Sequence, residues 1–284
     1  MSQPSPLVSV NWLQQHLQDD HLVLLDASME KVVGMEPKVY DRFLCIPGAI
    51  KCDLENKFHH AQGTQPNTLP SEQQFTEQAQ MLGINKNSTV VIYDNQGVYA
   101  SPRAWWMFKV MGVENVYILN GGLPSWLKHN YPTAHEYRTN RLTGTDKKGN
   151  LVGHLQEGLL QDAQQVLSAT NSSQHSILDA RSNTRFLGIT PEPRAGVRSG
   201  HIPNSINLPF AELLTEGAFK EKSKLQEIFK TLKIAPDQSI IFSCGSGITA
   251  CIVLVAAFEA GFKNLSLYDG SWSEWGSDST LPIE

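Results

Sequence analysis

A cysteine stands in the run Ser243-Cys244-Gly245-Ser246-Gly247-Ile248-Thr249, after the strand-like segment 239–242 and before the helix-like segment 250–258. A thiol at a strand-to-helix turn can do nucleophilic chemistry. Flanking glycines let the backbone curl so that successive N–H groups converge, and the helix adds the positive end of its dipole. Such a centre suits an anion, and it lowers a thiol pKa from roughly 8.5 toward neutrality or below, which makes the thiolate available. Buried cysteines more commonly act as small apolar fillers. A filler, however, has no use for glycines on both sides of its turn, so Cys244 is the candidate nucleophile.

The elements that must position this thiol come from a chain of 284 residues, long enough for two domains of common size. It is 40% hydrophobic and 18% charged, an ordinary globular composition. The net charge of −5 argues against a nucleic-acid partner, so an anionic substrate must be met by local arginines. The apolar stretch from Cys251 to Phe258 is too short to span a bilayer, and no membrane partner is expected. The first residues show neither a basic n-region nor an apolar h-region, which gives a cytoplasmic reading. Cys45, Cys52, Cys244 and Cys251 lack zinc-ligand spacing, and in a reducing compartment they are free thiols. Cys251, two helical turns beyond Cys244, reads as a packing residue. His59 and His60 lie among Gln, Asn, Gly and Pro and read as part of a solvated loop.

In order along the chain, helices are expected over 12–17, 71–82 and 100–110, and strands over 22–26, 89–93 and 116–119. This alternation indicates an α/β unit with a largely parallel sheet. Residues 140–153 have linker composition. The pattern then recurs: Ile177-Leu178-Asp179-Ala180-Arg181 answers Leu24-Leu25-Asp26-Ala27-Ser28, and Ile202-Pro203 answers Ile46-Pro47. Gly261, Gly270 and Trp275 answer Gly112, Gly121 and Trp126, so one unit is used twice. At the decisive turn Cys244 aligns with Asp94. The first half thus lacks a thiol there and is expected to wall the site. The division expected is 1–140 non-catalytic, 141–153 linker and 154–284 catalytic.

A tandem α/β repeat with cysteine in the second copy and aspartate in the first resembles the two-domain rhodanese superfamily over nearly the whole chain. The resemblance implies two rhodanese-like domains, each a mainly parallel sheet flanked by helices. The loop Cys244 to Thr249, Arg103-Ala104-Trp105-Trp106 and Pro191-Glu192-Pro193-Arg194 resemble the mercaptopyruvate-using branch. The thiosulfate-specific branch typically has Cys-Arg-Lys-Gly in its loop. The same resemblance implies that Arg185 and Arg194 hold the substrate, with Gly245, Ser246, Gly247, Ile248 and Thr249 lining it. Guanidinium forks suit a planar carboxylate beside a keto oxygen. Glu55 and Asn67 stand nearest the positions of an acid and a histidine that this branch often pairs with the loop serine, so that relay is not carried over.

Sulfur transfer from a small anionic donor, through a Cys244 persulfide, to a thiol or cyanide is the activity this resemblance implies. The acceptor could be a thioredoxin-like protein or a small thiol, and no metal or organic cofactor is required. Because the loop carries Gly245-Ser246 in place of Arg-Lys, mercaptopyruvate should be preferred to thiosulfate. A cysteine phosphatase would need an arginine six positions after the cysteine, where this chain has Ala250. A carrier module loaded by another protein is the non-enzymatic alternative, and turnover with purified components separates the two.

Overall fold

The computed structural model describes residues 5–60, 65, 67–138, 148–235 and 237–284. Within them the consecutive apolar runs form parallel strands covered on both faces, the environment such runs require. β1 (Leu7–Val8), β2 (Leu22–Asp26), β3 (Ile50–Lys51), β4 (Thr89–Tyr93) and β5 (Val116–Leu119) form a sheet in the order β1-β5-β4-β2-β3. The second half supplies β6 (Leu160–Gln161), β7 (His175–Asp179), β8 (Ile206–Asn207), a hairpin of β9 (Leu214–Thr215) and β10 (Ala218–Phe219), then β11 (Ser239–Ser243) and β12 (Leu265–Tyr268). Its main sheet runs β6-β12-β11-β7-β8. With each strand replaced by its counterpart the two orders coincide, so the sequence repeat is a repeat of topology. Both sheets are parallel throughout.

Three helices begin where a side chain takes up an unpaired N–H group. Ser9 accepts from Trp12 N, and the first helix is Val10–His16, starting earlier than the apolar spacing suggests. Ser71 caps Glu72–Met81 in the same way, and Asp162 with Gln165 closes a capping box on Ala163–Ala169. The helix Ala250–Ala260 is apolar all round as far as Ala257 because those residues are buried on all sides, between its own sheet and the first half. It packs against the first-half helix Ser101–Val110, and Trp105 meets Phe258 edge-on at 6.2 Å. One hydrophobic core therefore runs across both halves, joining Trp105 and Phe108 to Phe210 and Leu254.

Of the stretch read as a linker, 141–147 lies outside the described residues. Residues 148–153 run along the first half, with Gly149 N on Gln80 O at 2.9 Å and Leu151 N on Ile84 O at 3.1 Å. His154 N and Gln156 N continue this attachment to Met111 O and Val110 O. Among the described residues no helix is long and apolar enough to cross a membrane.

Candidate active site

Asp94 and Cys244 both follow the middle strand of their sheets, at the carboxyl edge where loop amides and helix N-termini gather. In the first half the loop is filled by its own aspartate. Asp94 Oδ2 accepts from the N–H groups of Tyr99, Ala100 and Ser101 at 2.9, 3.0 and 2.8 Å and from Ser101 Oγ at 2.7 Å. Its Oδ1 takes Gln96 N at 2.9 Å. The turn can thus hold one negative charge on several N–H donors, and here that charge is built in.

The second-half loop is fixed from behind. Cys244 N donates to Ser271 Oγ at 3.2 Å, and Cys244 O accepts from Trp272 N at 2.9 Å. Ser273 N holds Gly245 O at 2.9 Å. Cys244 is itself 1% exposed and lies at the floor of a cleft of about 330 Å³. Arg185, Arg194, Gly245, Ser246, Ile248 and Thr249 line that cleft with it, and so do Glu55 and Asn67. Gly247 does not; its φ is +77° and its Cβ position would lie 3.1 Å from Asp269 O. The expectation that both glycines serve backbone curvature is thereby corrected. Gly247 needs its left-handed conformation, whereas Gly245 has no positive φ and is small because Arg185 Nη2 lies 3.1 Å from where its Cβ would be.

Arg185 is held over Gly245 by Glu192, at 2.5 Å from Nη2 and 3.1 Å from Nε. Glu192 also takes Arg181 Nη1 at 2.9 Å, and Arg181 is paired with Asp179 at 2.7 Å. Burial pushes the Arg181 guanidinium toward losing its proton, but Asp179 and Glu192 outweigh it and hold the charge firmly. Two arginines and two carboxylates thus balance. Arg194, whose Nη1 donates to Ser273 Oγ at 2.9 Å, and Lys31 are the cleft's cations outside that balance. Glu192 was visible in sequence only as part of a motif. Lys31, Met29, Val33 and Tyr99, all from the first half, complete the wall and carried no sequence signal.

Asn67, with φ 60°, donates from Nδ2 to Ser246 Oγ at 3.1 Å. Its carbonyl is gripped by Arg103, which is buried and pairs with Asp269 of the other half at 2.7 Å. Leu69 N bonds the same carboxylate at 2.9 Å. A cross-half ion pair therefore fixes the segment that reaches the loop serine. Glu55 caps Glu30 N at 3.0 Å and does not extend that chain of bonds.

Burial pushes the Cys45 thiol up to about 11 and those of Cys52 and Cys251 up to about 12. Those three are packing residues at neutral pH, and all four cysteines are unpaired. His59 departs from the solvated-loop expectation: it is half-buried, with Nδ1 enclosed and unpartnered, because adjacent Phe58 is drawn into the core against Phe75 and Phe108. Among the described residues no group of three metal-ligating side chains occurs.

Two matching parallel sheets, one loop closed by its own carboxylate and the other carrying a thiol under two arginines, define a tandem-repeat α/β protein centred on one cysteine. The chain belongs to the family of rhodanese-like domains, whose model matches it twice, over residues 9–129 and 162–278. It is 36% identical over 279 residues to the 3-mercaptopyruvate sulfurtransferase of Escherichia coli K12, covering 98% of this chain and 97% of that one. It is 35% identical to a rat thiosulfate sulfurtransferase, covering 95% and 91%. The crystal structure of SseA from Escherichia coli superposes with a TM-score of 0.81 at 32% identity, covering 95% of this chain and 100% of the other.

Proposed function

We propose that the chain is a sulfurtransferase that takes sulfur from 3-mercaptopyruvate onto Cys244 and passes it to a thiol or cyanide. The observation that carries this reading is Cys244 at the floor of a cleft faced by Arg185 and Arg194. The carboxylate of the donor meets Arg194, which has no carboxylate partner among the described residues. The keto oxygen lies toward Arg185 and Ser246. The Cys244 thiolate attacks the donor sulfur, an S–S bond forms, and the C–S pair moves through carbon onto the keto oxygen as an enolate. Protonation of that enolate gives pyruvate. Directional donors at such an oxygen are worth on the order of 10²–10³ in rate each. In the second step the acceptor attacks the outer sulfur and restores the thiolate.

Residues 154–284 are the catalytic unit in this proposal, 1–140 wall the cleft, and 141–153 join them. The Asp94 carboxylate fills the first-half loop and leaves no nucleophile there. The acceptor is a small thiol or a thioredoxin-like protein, and four unpaired cysteines accord with a reducing, cytoplasmic setting. Thiosulfate is the alternative donor, because several relatives bear that name.

The test is intact-mass analysis after exposure to mercaptopyruvate, with peptide mapping. One added sulfur on the Cys244 peptide, with pyruvate released, is the expected result; an unmodified Cys244 under turnover would end the proposal. A second measurement concerns the serine. Asn67 donates to Ser246 Oγ, which leaves the hydroxyl proton free for another acceptor. Asn67→Ala is expected to lower kcat with mercaptopyruvate about threefold to tenfold, the value of one hydrogen bond, with KM little changed.

A further inference from the structure

The two halves also differ where β7 and β2 end. β7 ends in Asp179, whose Oδ2 takes Arg181 Nε at 3.0 Å and Nη2 at 2.7 Å. The same guanidinium donates to Gly200 O at 2.8 Å and lies 4.4 Å over the Trp272 ring. β2 ends in Asp26, which is as deeply buried, but the residue two places on is Ser28. Cys45 exchanges backbone hydrogen bonds with Ala134 as His201 does with Glu284, so Leu44 stands where Gly200 stands. Asp26, Ser28 and Leu44, the counterparts of the aspartate, the arginine and the carbonyl, all border one cleft of about 480 Å³. In place of the second-half guanidinium the first half has the Tyr137 hydroxyl on Asp26 Oδ2 and the cleft beside it.

Among the described residues the Asp26 carboxylate has amide and hydroxyl donors but no paired cation. Asp26 Oδ1 is served by Ser28 N at 2.8 Å and by the Ser28 hydroxyl. Oδ2 has Tyr137 OH at 3.2 Å, long for an O–H···O bond, and the Tyr93 hydroxyl also bonds the carboxylate. No hydrogen bond reaches the Leu44 carbonyl among the described residues. Lys51 is the nearby cation, and its ammonium goes to Ser28 O rather than to the carboxylate. Burial raises the pKa of the Asp26 carboxyl, with Ser28, Lys51 and Tyr93 offsetting only part of it. A buried carboxylate of this kind gains most from a cation that also satisfies its lone pairs.

We propose that this first-half cleft binds a guanidinium group, brought by a small ligand or by an arginine side chain of a peptide, in the place that Arg181 fills in the second half. A planar cation with several donors can reach both Asp26 and the Leu44 carbonyl. An ammonium offers a point charge, and a neutral ureido group leaves the carboxylate unpaired. Lys38 and Arg42 border the mouth but are exposed, so solvent and salt screen their repulsion.

Isothermal titration of the full chain with argininamide and with acetyl-Gly-Arg-Gly-amide tests this, using the lysine and citrulline counterparts as controls. Saturable binding of an arginine probe, at least about tenfold tighter than either control, is expected, and the stronger of the two probes identifies the source. Asp26→Asn should weaken it about tenfold or more. Ser28→Arg, which rebuilds the second-half pair and fills the cleft from within, should abolish binding while the protein stays folded. Equal affinity for lysine or citrulline probes, no saturable binding, or binding that survives Ser28→Arg would overturn the proposal. So would binding seen only in an Arg42→Gln background, because Arg42 would then be closing the cleft itself.

Discussion

Cys244→Ser yields a folded protein whose turnover with mercaptopyruvate falls by at least about 10⁴-fold, the scale of loss when a nucleophile is removed. A hydroxyl is similar in size but stays protonated near neutral pH, so no attack on the donor sulfur occurs. The fold should hold because the loop is fastened through backbone atoms: Ser271 Oγ takes Cys244 N, and Trp272 N holds Cys244 O, whatever the side chain. The melting temperature should stay within about 3 °C of the parent. Replacing Cys45, Cys52 or Cys251 with alanine should leave persulfide formation intact, since burial keeps those thiols protonated. Sulfur incorporated into Cys244→Ser, or its loss only when another cysteine is changed, would remove Cys244 from the mechanism.

The parts of this arrangement that were legible in sequence are those written into contiguous residues. β4 coincides with the expected 89–93 because a strand buried on both faces must be a short apolar run, and β11 obeys the same logic. The repeat could be read because each copy spends its glycines and tryptophans at the same turns. Cys244 stood out against Asp94 for the same reason. The sequence lacked any sign of how far side chains reach across the seam. Arg103 in a first-half helix pairs with Asp269 of the second half and grips the Asn67 carbonyl, and Asn67 in turn reaches Ser246, a set of contacts that no spacing rule encodes. The substitution of Cys by Asp was visible, but not that the carboxylate would turn inward and take the loop's own N–H groups. Ser28 and Arg181 are aligned by the repeat itself. The meaning of that difference needed the cleft that the smaller residue leaves.

Gly245 was also legible as a glycine but not for its reason, and that reason changes what governs donor choice. A neutral loop alone would allow arginine and lysine at 245 and 246 to be added as charges favouring thiosulfate. The structure puts Arg185 Nη2 3.1 Å from a Cβ at position 245, so any side chain there meets the guanidinium first. Gly245→Ala separates the steric part from the charge part. It should cut kcat/KM for mercaptopyruvate about tenfold by moving Arg185 off the keto oxygen, and should affect thiosulfate, which has no such oxygen, much less. Arg185→Lys keeps the charge and the ion pair to Glu192 but loses the fork, and should lower kcat/KM for mercaptopyruvate by on the order of 10². Gly245-Ser246→Arg-Lys should then combine both effects, with mercaptopyruvate use lost and thiosulfate use gained, the gain shrinking as salt rises. Steady-state kinetics with both donors at low and high salt reads all three variants. If Gly245→Ala and Arg185→Lys both keep parental efficiency with mercaptopyruvate, Arg185 does not hold the reacting end of the donor, and Arg194 with Lys31 becomes the pair that must.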